Sequence, residues 1–417
     1  MRNFKILSLV LSIIIITAGC SKKNIPMQMG DYTSTFNRDI ETLASDKMEG
    51  RETGQPGEQM AADYIKGRMV ALGVKPYNGK DYTHGFEKII KANPHDAAPS
   101  PDDTKIMGKN VVGMIDNGAS GFIVVGAHYD HLGYGQEGSL YTGPKAIHNG
   151  ADDNASGVAM MLALGEQLKK NGITEKHNII LIGFSGEEKG LWGSNAFAKD
   201  HPEICGEASF MINMDMVGRL NAEKKLAING TGTSPLFTEK LNSLNKYGLD
   251  LVMSESGVGP SDHTSFYLSD VPALHFFTGQ HEDYHKPSDD ADKINYEGMQ
   301  TLTDYIYNLI MSLDKEDDLP FTKTKDESQV SPKFEVTLGV IPDYLFSDKG
   351  MRIDGVREGR PAEKAGIVKG DVVIKMGEVE IVDMMSYMKG LASFKPGQTV
   401  VVTILREGKE MEKEVTF

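Results

Sequence analysis

The sequence predicts an α/β domain, a mostly parallel sheet sandwiched by helices, followed by a small β-rich domain. Short runs that are apolar throughout, Asn110 to Ile115, Phe122 to Ala127, Asn178 to Phe184, Phe210 to Asn213 and Val271 to Phe277, alternate with helical patterns. Strands that are apolar on both faces are buried on both faces, the environment of a parallel sheet covered by helices. Residues 155–170 form one such cover, with Val158, Met161, Leu162 and Leu168 along one side and Gly172 as the stop. Beyond residue 333 the pattern changes to alternating strands, as in Val400 to Leu405, punctuated by Gly359, Gly366, Gly370 and Gly377.

From the N-terminus, Arg2 and Lys5 precede an apolar run from Ile6 to Ile16 that ends in Thr17-Ala18-Gly19-Cys20. Basic residues, a short apolar stretch and small residues in that order form a signal peptide, and the run falls short of the roughly 20 apolar residues of a bilayer span. The small residues before Cys20 resemble a bacterial lipobox, which implies cleavage at 1–19 and a lipid anchor on Cys20. The expected location is the bacterial cell envelope, with membrane contact only through that lipid. Residues 20–30 read as a tether. Helical spacing of Phe36, Ile40 and Leu43, then of Ala61, Ile65, Met69 and Leu72, flanks a Gly-containing loop at 48–54, and residues 92–105 form a surface excursion. The first domain spans 31–313. Residues 314–332, charged and nearly free of apolar side chains, read as a linker, and the second domain spans 333–417. Cys205, the second of two cysteines, lacks a metal-spaced neighbour and reads as a buried apolar side chain. A net charge of -15 argues against nucleic acid and anionic lipid surfaces, whose binding needs clustered Lys and Arg.

Ligand-type residues fall at the ends of the predicted strands. His128 and Asp130 follow 122–127, Glu187 and Glu188 follow 178–184, Asp215 follows 210–213, and His281 and His285 follow 271–277. In open α/β sheets, sites form beyond the carboxyl ends of the strands, so these side chains should converge. Asp152-Asp153-Asn154 opens the helix at 155 and also suits an N-cap. Imidazoles, several carboxylates and no thiolate suit catalytic zinc. Five ligands exceed one open zinc site and fall short of two separate ones; one bridging carboxylate resolves the count.

His128-Tyr129-Asp130-His131, Gly150 to Gly157, Ser185-Gly186-Glu187-Glu188-Lys189-Gly190, Asn213-Met214-Asp215 and Asp283-Tyr284-His285 resemble the ordered motifs of M28 zinc peptidases over roughly residues 35–312. The resemblance implies two Zn2+ per chain, one held by His128 and Asp215 and the other by Glu188 and His285, with Asp153 bridging. Glu187 is then the general base, and Asp130 orients the His128 ring. Asp152 reads as a cap or support. His131, His148 and His281 have surface or supporting roles, and Trp192 packs. Ser261-Asp262-His263 resembles a family segment on the substrate side, where His263 contacts substrate or supports the core. Asp289 either braces His285 or caps the following helix.

The activity implied is a two-zinc exopeptidase acting on peptide substrates, first an aminopeptidase, because extra carboxylates anchor a free α-amino group. A carboxypeptidase would need a cation such as Arg219, which could equally form a structural ion pair. Glutaminyl-cyclase-like chemistry uses one zinc and does not fit five ligands. No nucleophile elbow is present to support covalent catalysis. In the second domain, Leu338-Gly339-Val340-Ile341, Gly359-Arg360-Pro361-Ala362-Glu363-Lys364-Ala365-Gly366 and Lys369 to Val373 resemble a PDZ domain of the bacterial protease type. That implies a C-terminal peptide ligand whose carboxylate enters the loop Leu338 to Ile341. It also raises the alternative of a peptide-binding scaffold with an inert peptidase domain.

Overall fold

The computed structural model describes residues 30–92, 100–316, 319–325, 335–343, 345–346, 348–357 and 359–417, apart from the Met385 side chain. The segment read as a signal peptide, Cys20 and all of the segment read as a tether but Gly30 lie outside these residues, as do parts of the expected surface excursion and linker. No described helix is long and apolar enough to cross a membrane.

In chain order the first domain runs α1 (Thr33–Leu43), α2 (Pro56–Ala71), β1 (Lys75–Pro76), β2 (Thr83–Ile90), β3 (Thr104–Ile115), β4 (Phe122–His128), α3 (Gly157–Lys170) and β5 (Asn178–Phe184). It continues with α4 (Trp192–Asp200), α5 (Pro202–Gly206), β6 (Ala208–Met214), β7 (Lys225–Asn229), α6 (Phe237–Leu244), β8 (Asp250–Ser254), α7 (His263–Tyr267), β9 (Ala273–Phe277) and α8 (Tyr296–Leu313). The sheet order is β1-β3-β5-β4-β6-β9-β7-β8, with β2 on β3. The four central strands β5, β4, β6 and β9 are parallel, as their all-apolar character predicts. The flanks are antiparallel where β3 meets β5 and β7 meets β9. Strands β2, β7 and β8 carry too mixed a pattern to be read from sequence, and they extend a parallel centre into a mixed sheet.

Along β5 the side chains alternate between two cores. Ile179 and Leu181 join the cluster under α1, α3 and α8, while Ile180 and Ile182 join Phe197 of α4 and Phe266 of α7 on the other face. Both faces are therefore dry, and the four parallel strands end together on one edge. Part of the segment read as linker packs on this domain. Leu319 is buried, the Phe321 ring lies 5.6 Å from that of Tyr267, and the Thr322 N–H donates to the Thr233 carbonyl at 2.8 Å. The charge of residues 314–318 obscured this from the sequence.

The second domain contains β10 (Val340–Pro342), β11 (Met351–Val356), α9 (Pro361–Lys364), β12 (Val372–Met376), β13 (Val379–Glu380), α10 (Met384–Ala392), β14 (Thr399–Arg406) and β15 (Lys409–Thr416). Its antiparallel sheet has the order β10-β11-β12-β14-β15, with β13 on β12, and it has its own core around Leu338, Val373, Met376 and Ile404. Asp383 caps α10 by accepting from the Ser386 N–H at 2.7 Å. Buried Asp371 accepts two hydrogen bonds from Arg406, at 2.7 and 2.8 Å.

Because Ile182 is wholly buried on the α4–α7 face, Ile182→Ala should lower the unfolding free energy of the first domain by about 2–5 kcal/mol. Urea denaturation of both proteins measures this.

Candidate active site

Each parallel strand delivers a ligand-type side chain at the same edge. β4 ends on His128, and β5 is followed by Glu187 and Glu188, β6 by Asp215, and β9 by His281 and His285. Asp153 comes from the turn that leads into α3, where the peptide bond between Asp153 and Asn154 is cis. The turn is held close to β6: the Asn154 side-chain amide donates to the Met214 carbonyl at 3.0 Å, and its Oδ1 accepts from the Gly157 and Met216 N–H groups. A Cβ on Gly157 would lie 2.4 Å from that same carbonyl oxygen, so the approach requires glycine.

The side chains converge as two groups that share Asp153. His128 Nε2 lies 3.3 Å from Asp153 Oδ1 and 3.2 Å from Asp215 Oδ1. His285 Nε2 lies 3.2 Å from Asp153 Oδ2 and 3.2 Å from Glu188 Oε2. His131 Nδ1 approaches Glu188 Oε1 at 2.7 Å and Asp153 Oδ2 at 3.8 Å, so His131, Asp153 and Glu188 also form a metal-capable group beside that of His128, Asp153 and Asp215. The donor set of imidazole nitrogens and carboxylate oxygens suits a divalent transition metal.

The rings are aimed from behind. His128 Nδ1 lies 3.2 Å from the Asp130 carbonyl and 3.6 Å from its carboxylate, while His285 Nδ1 lies 2.9 Å from the Gly138 carbonyl. Donation at Nδ1 leaves each Nε2 lone pair facing the cluster. The Asp130 carboxylate also accepts from the Glu187 N–H at 3.1 Å and from the Thr53 hydroxyl at 3.0 Å, which fixes the main chain of Glu187.

The charges act strongly on one another. Burial favours neutral His128 and His285, but Asp215 and Glu187 hold His128 well above its usual range, and Glu188 with Asp153 pushes His285 up to about 11. Burial also raises carboxyl pKa values, yet His128 and His285 hold Asp153 well below the usual range, and His285 brings Glu188 to about 2. Glu187 goes the other way. Burial lifts it well above the usual range, His128 opposes, and Asp215, Asp262 and Glu188 add to the rise.

The remaining sequence candidates separate clearly. Asp152 is a support, accepting from the Gly218 N–H at 2.6 Å and facing His281 Nε2 at 3.1 Å. Asp289 braces Asp153 rather than His285: one oxygen accepts from the N–H groups of Asp152 and Asp153, at 2.9 and 3.0 Å, and the other meets Arg219 at 3.2 Å. Arg219 also pairs with Asp283 at 3.2 Å, which commits it to the structural ion pair. His131, His148 and His281 are supports rather than surface groups, the first two buried and the third largely so. His263 packs behind Gly259 and stacks on His275 at 4.7 Å, while His275 itself lines the cavity. Trp192 opens α4 beside Gly186, with Lys88 over its ring, and buried Cys205 has a thiol pushed up to about 11 by burial.

Sequence reading missed Arg51. Its guanidinium is buried and donates to the carbonyls of Tyr129, Leu43, Asn149 and Gly150 at 2.6 to 2.9 Å. It also missed Glu58, which accepts from Ser185 Oγ at 2.5 Å and from the Gly54 N–H at 2.7 Å beneath the β5 end. An arginine inside an otherwise turn-like Gly-containing loop was the available signal.

The cluster floors a cavity of ≈580 Å³, within the range of small-ligand sites. The sequence from 110 to 310 matches the family described as Peptidase family M28, and 315–417 matches the PDZ domain. A similar curated protein is "Aminopeptidase YwaD" of Bacillus subtilis (strain 168), 25% identical over 276 residues that cover 63% of this chain and 56% of that protein. The chain thus spans little more than half the length of that relative. Among solved structures, a zinc aminopeptidase from Bacillus subtilis, BSAP, matches with TM-score 0.53 and 17% identity over 72% of this chain and 100% of that one. A glutaminyl cyclase from Porphyromonas gingivalis matches with TM-score 0.53 and 14% identity over 67% and 98%. Since both chemistries occur on this fold, the activity has to be argued from the site.

Asp289→Ala removes the acceptor that holds the Asp153 main chain, and should weaken divalent-metal binding by about 10- to 100-fold, as loss of an outer-sphere partner does. Competition with a chromogenic chelator gives the value; unchanged affinity would show that the turn holds itself.

Proposed function

We propose, from the premise that this chain carries an M28 peptidase domain at 110–310 joined to a PDZ domain at 315–417, that it is a two-zinc aminopeptidase releasing N-terminal residues from peptides. The supporting observation is the division of Asp153, with Oδ1 toward His128 and Oδ2 toward His285. On this reading His128 and Asp215 hold one zinc, Glu188 and His285 hold the other, and Asp153 bridges. His285 is preferred to His131 as ligand because its Nδ1 is committed to a carbonyl, whereas His131 approaches Glu188 at hydrogen-bond distance and orients that carboxylate.

Bound zinc would supply Lewis acidity, making a water nucleophilic near neutral pH and polarising the scissile carbonyl. Glu187, half-buried and with a raised affinity for protons, accepts the proton of the attacking water and delivers it to the departing amine. Asp130 keeps Glu187 in place through its main-chain N–H and steadies the His128 ring. Glu188, with its two oxygens facing His131 and His285, has no such freedom.

Two observations favour the amino end over the carboxyl end. No described residue lining the cavity is Lys or Arg, so nothing in that lining would pair with a substrate carboxylate. Arg219, the cation a carboxypeptidase would need, is paired with Asp283 and Asp289. Retention of the complete donor set and of Glu187 disfavours an inert scaffold. We further propose anchorage in the bacterial envelope through lipid on Cys20, to be checked by incorporation of labelled palmitate into the wild type and not into Cys20→Ala.

Glu187→Gln should retain about two zinc ions per chain while kcat on aminoacyl chromogenic substrates falls by about 10²- to 10⁴-fold. Metal analysis and kinetics together decide: near-wild-type turnover would remove the base assignment. Exhaustive chelation of the wild type should abolish hydrolysis, with recovery on adding zinc, and activity surviving metal removal would overturn the reading.

A further inference from the structure

The second domain does not stand clear of the catalytic cavity. Met384 and Met388 of α10 line it together with the metal-site carboxylates. Spaced by four residues, they share one face of the helix. A second contact lies beside it: a Cβ placed on Gly279 would come within 2.6 Å of Leu345 Cδ1, so Leu345 sits against the loop between β9 and His285. The loop that carries a sequence-predicted ligand is thus packed against the domain that the sequence sets beyond a linker.

The chain direction in this domain is informative. Among the described residues β10 is an edge strand, paired with β11. Leu338 to Ile341 stands at its start, and Leu345 follows its end, against the catalytic loop. An added peptide strand whose carboxylate is held at Leu338 to Ile341 must run opposite to β10, which sends its free amino end toward Leu345 and the cavity. Charge follows the same axis. Arg360 lies against Gly339 at the loop, with its Cβ 2.2 Å from a Cβ built on that glycine, while four carboxylates line the far end. A peptide held by its carboxyl end at this loop would therefore present its free amino end to the metal cluster.

We propose that the catalytic cleft and the β10 edge form one peptide track, with Met384 and Met388 as the wall that receives apolar substrate side chains next to the metal cluster. The proposal rests on the aminopeptidase reading and deepens it: the substrate class is short linear peptides with both termini free, bound by the two domains at once. Methionine suits such a wall because its unbranched, polarizable side chain fits apolar groups of different shape. A dipeptide is too short to pair along the three residues of β10 and reach the metal cluster as well, so dipeptides use the metal end and the Met wall alone.

The test compares the wild type, the Met384→Ala/Met388→Ala double variant and the Met384→Leu/Met388→Leu double variant, all full-length, with melting temperatures recorded. Substrates are leucine p-nitroanilide and a leucine-initiated heptapeptide with either a free or an amidated C-terminus. The alanine pair should raise KM about 10-fold on every substrate with kcat within about 3-fold, since apolar contact area is lost while the metal end stays intact. The leucine pair should restore KM to within about 3-fold. Amidation should raise the wild-type KM of the heptapeptide about 10-fold. Unchanged KM in the alanine pair would overturn the Met wall, and indifference to amidation would overturn the track. Equal loss of kcat in the alanine and leucine pairs would reduce α10 to scaffolding and also overturn the proposal. Fluorescence anisotropy of the heptapeptide, dye-labelled on an internal lysine and measured under chelation, separates the two readings. Binding that needs the Met pair in a protein that hydrolyses none of the substrates keeps the track and rejects the peptidase activity, whereas hydrolysis without Met-dependent binding does the reverse.

Discussion

The dominant constraint on this structure is the crowding of carboxylates at one sheet edge. Asp153, Glu187, Glu188 and Asp215 meet at the ends of dry strands, where water cannot fully screen them, and like charges that close together oppose folding. Imidazoles offset part of this, with His128 and His285 each between two carboxylates. A bound divalent metal would offset more. The protein's own fixed contribution is Arg51, a buried guanidinium under the field of Asp153, Asp130, Asp289 and Glu188. Its hydrogen bonds go to four main-chain carbonyls, so the cation is held in place without neutralising any one acid.

That arrangement gives the N-terminal segment a role that its helical pattern does not suggest. The part of the chain that matches the peptidase family begins at residue 110. Arg51, Thr53 and Glu58 all precede it, yet Arg51 ties the turns after β4 and before α3, Thr53 bonds Asp130, and Glu58 bonds Ser185 below Glu187. The site is therefore a property of α1, α2 and the loop between them as much as of the sheet. Removing that segment would unpair buried polar groups on both sides, a loss larger than any single surface contact.

The second domain is built to a different rule. Its antiparallel sheet has one small core, and its charged anchor is the pairing of buried Asp371 with Arg406. Among the described residues β10 has no second partner strand, a feature that natural sheets usually cover or charge. Here Met384 and Met388 of α10 line the cavity, and Leu345, beyond the end of that strand, sits against Gly279 of the first domain. On the track proposed above, a peptide would use this edge.

The sequence by itself determined the parallel centre of the sheet and the edge at which the site lies. All-apolar runs specify strands buried on both faces, and such strands present their following residues at one end. The positions of His128, Glu187, Glu188, Asp215 and His285 at that edge were legible for that reason; Asp153 was legible through the resemblance of its motif, and the buried state of Cys205 through its lack of a metal-spaced neighbour. The sequence left Asp289 between two roles and Arg219 between a substrate cation and an ion pair, it marked Arg51 only as an arginine in a Gly-containing loop, and it gave no sign of His275. Only the tertiary structure decided these, because each acts across sequence separations that no local period encodes: Asp289 on the N–H groups of Asp152 and Asp153, Arg219 on Asp283 and Asp289, Arg51 on carbonyls nearly 100 residues away. It likewise decided the place of the second domain. Residues 314–332 read as a linker whatever follows them, whereas in the structure Phe321 packs on Tyr267, Leu345 sits against Gly279, and Met384 and Met388 of α10 line the cavity.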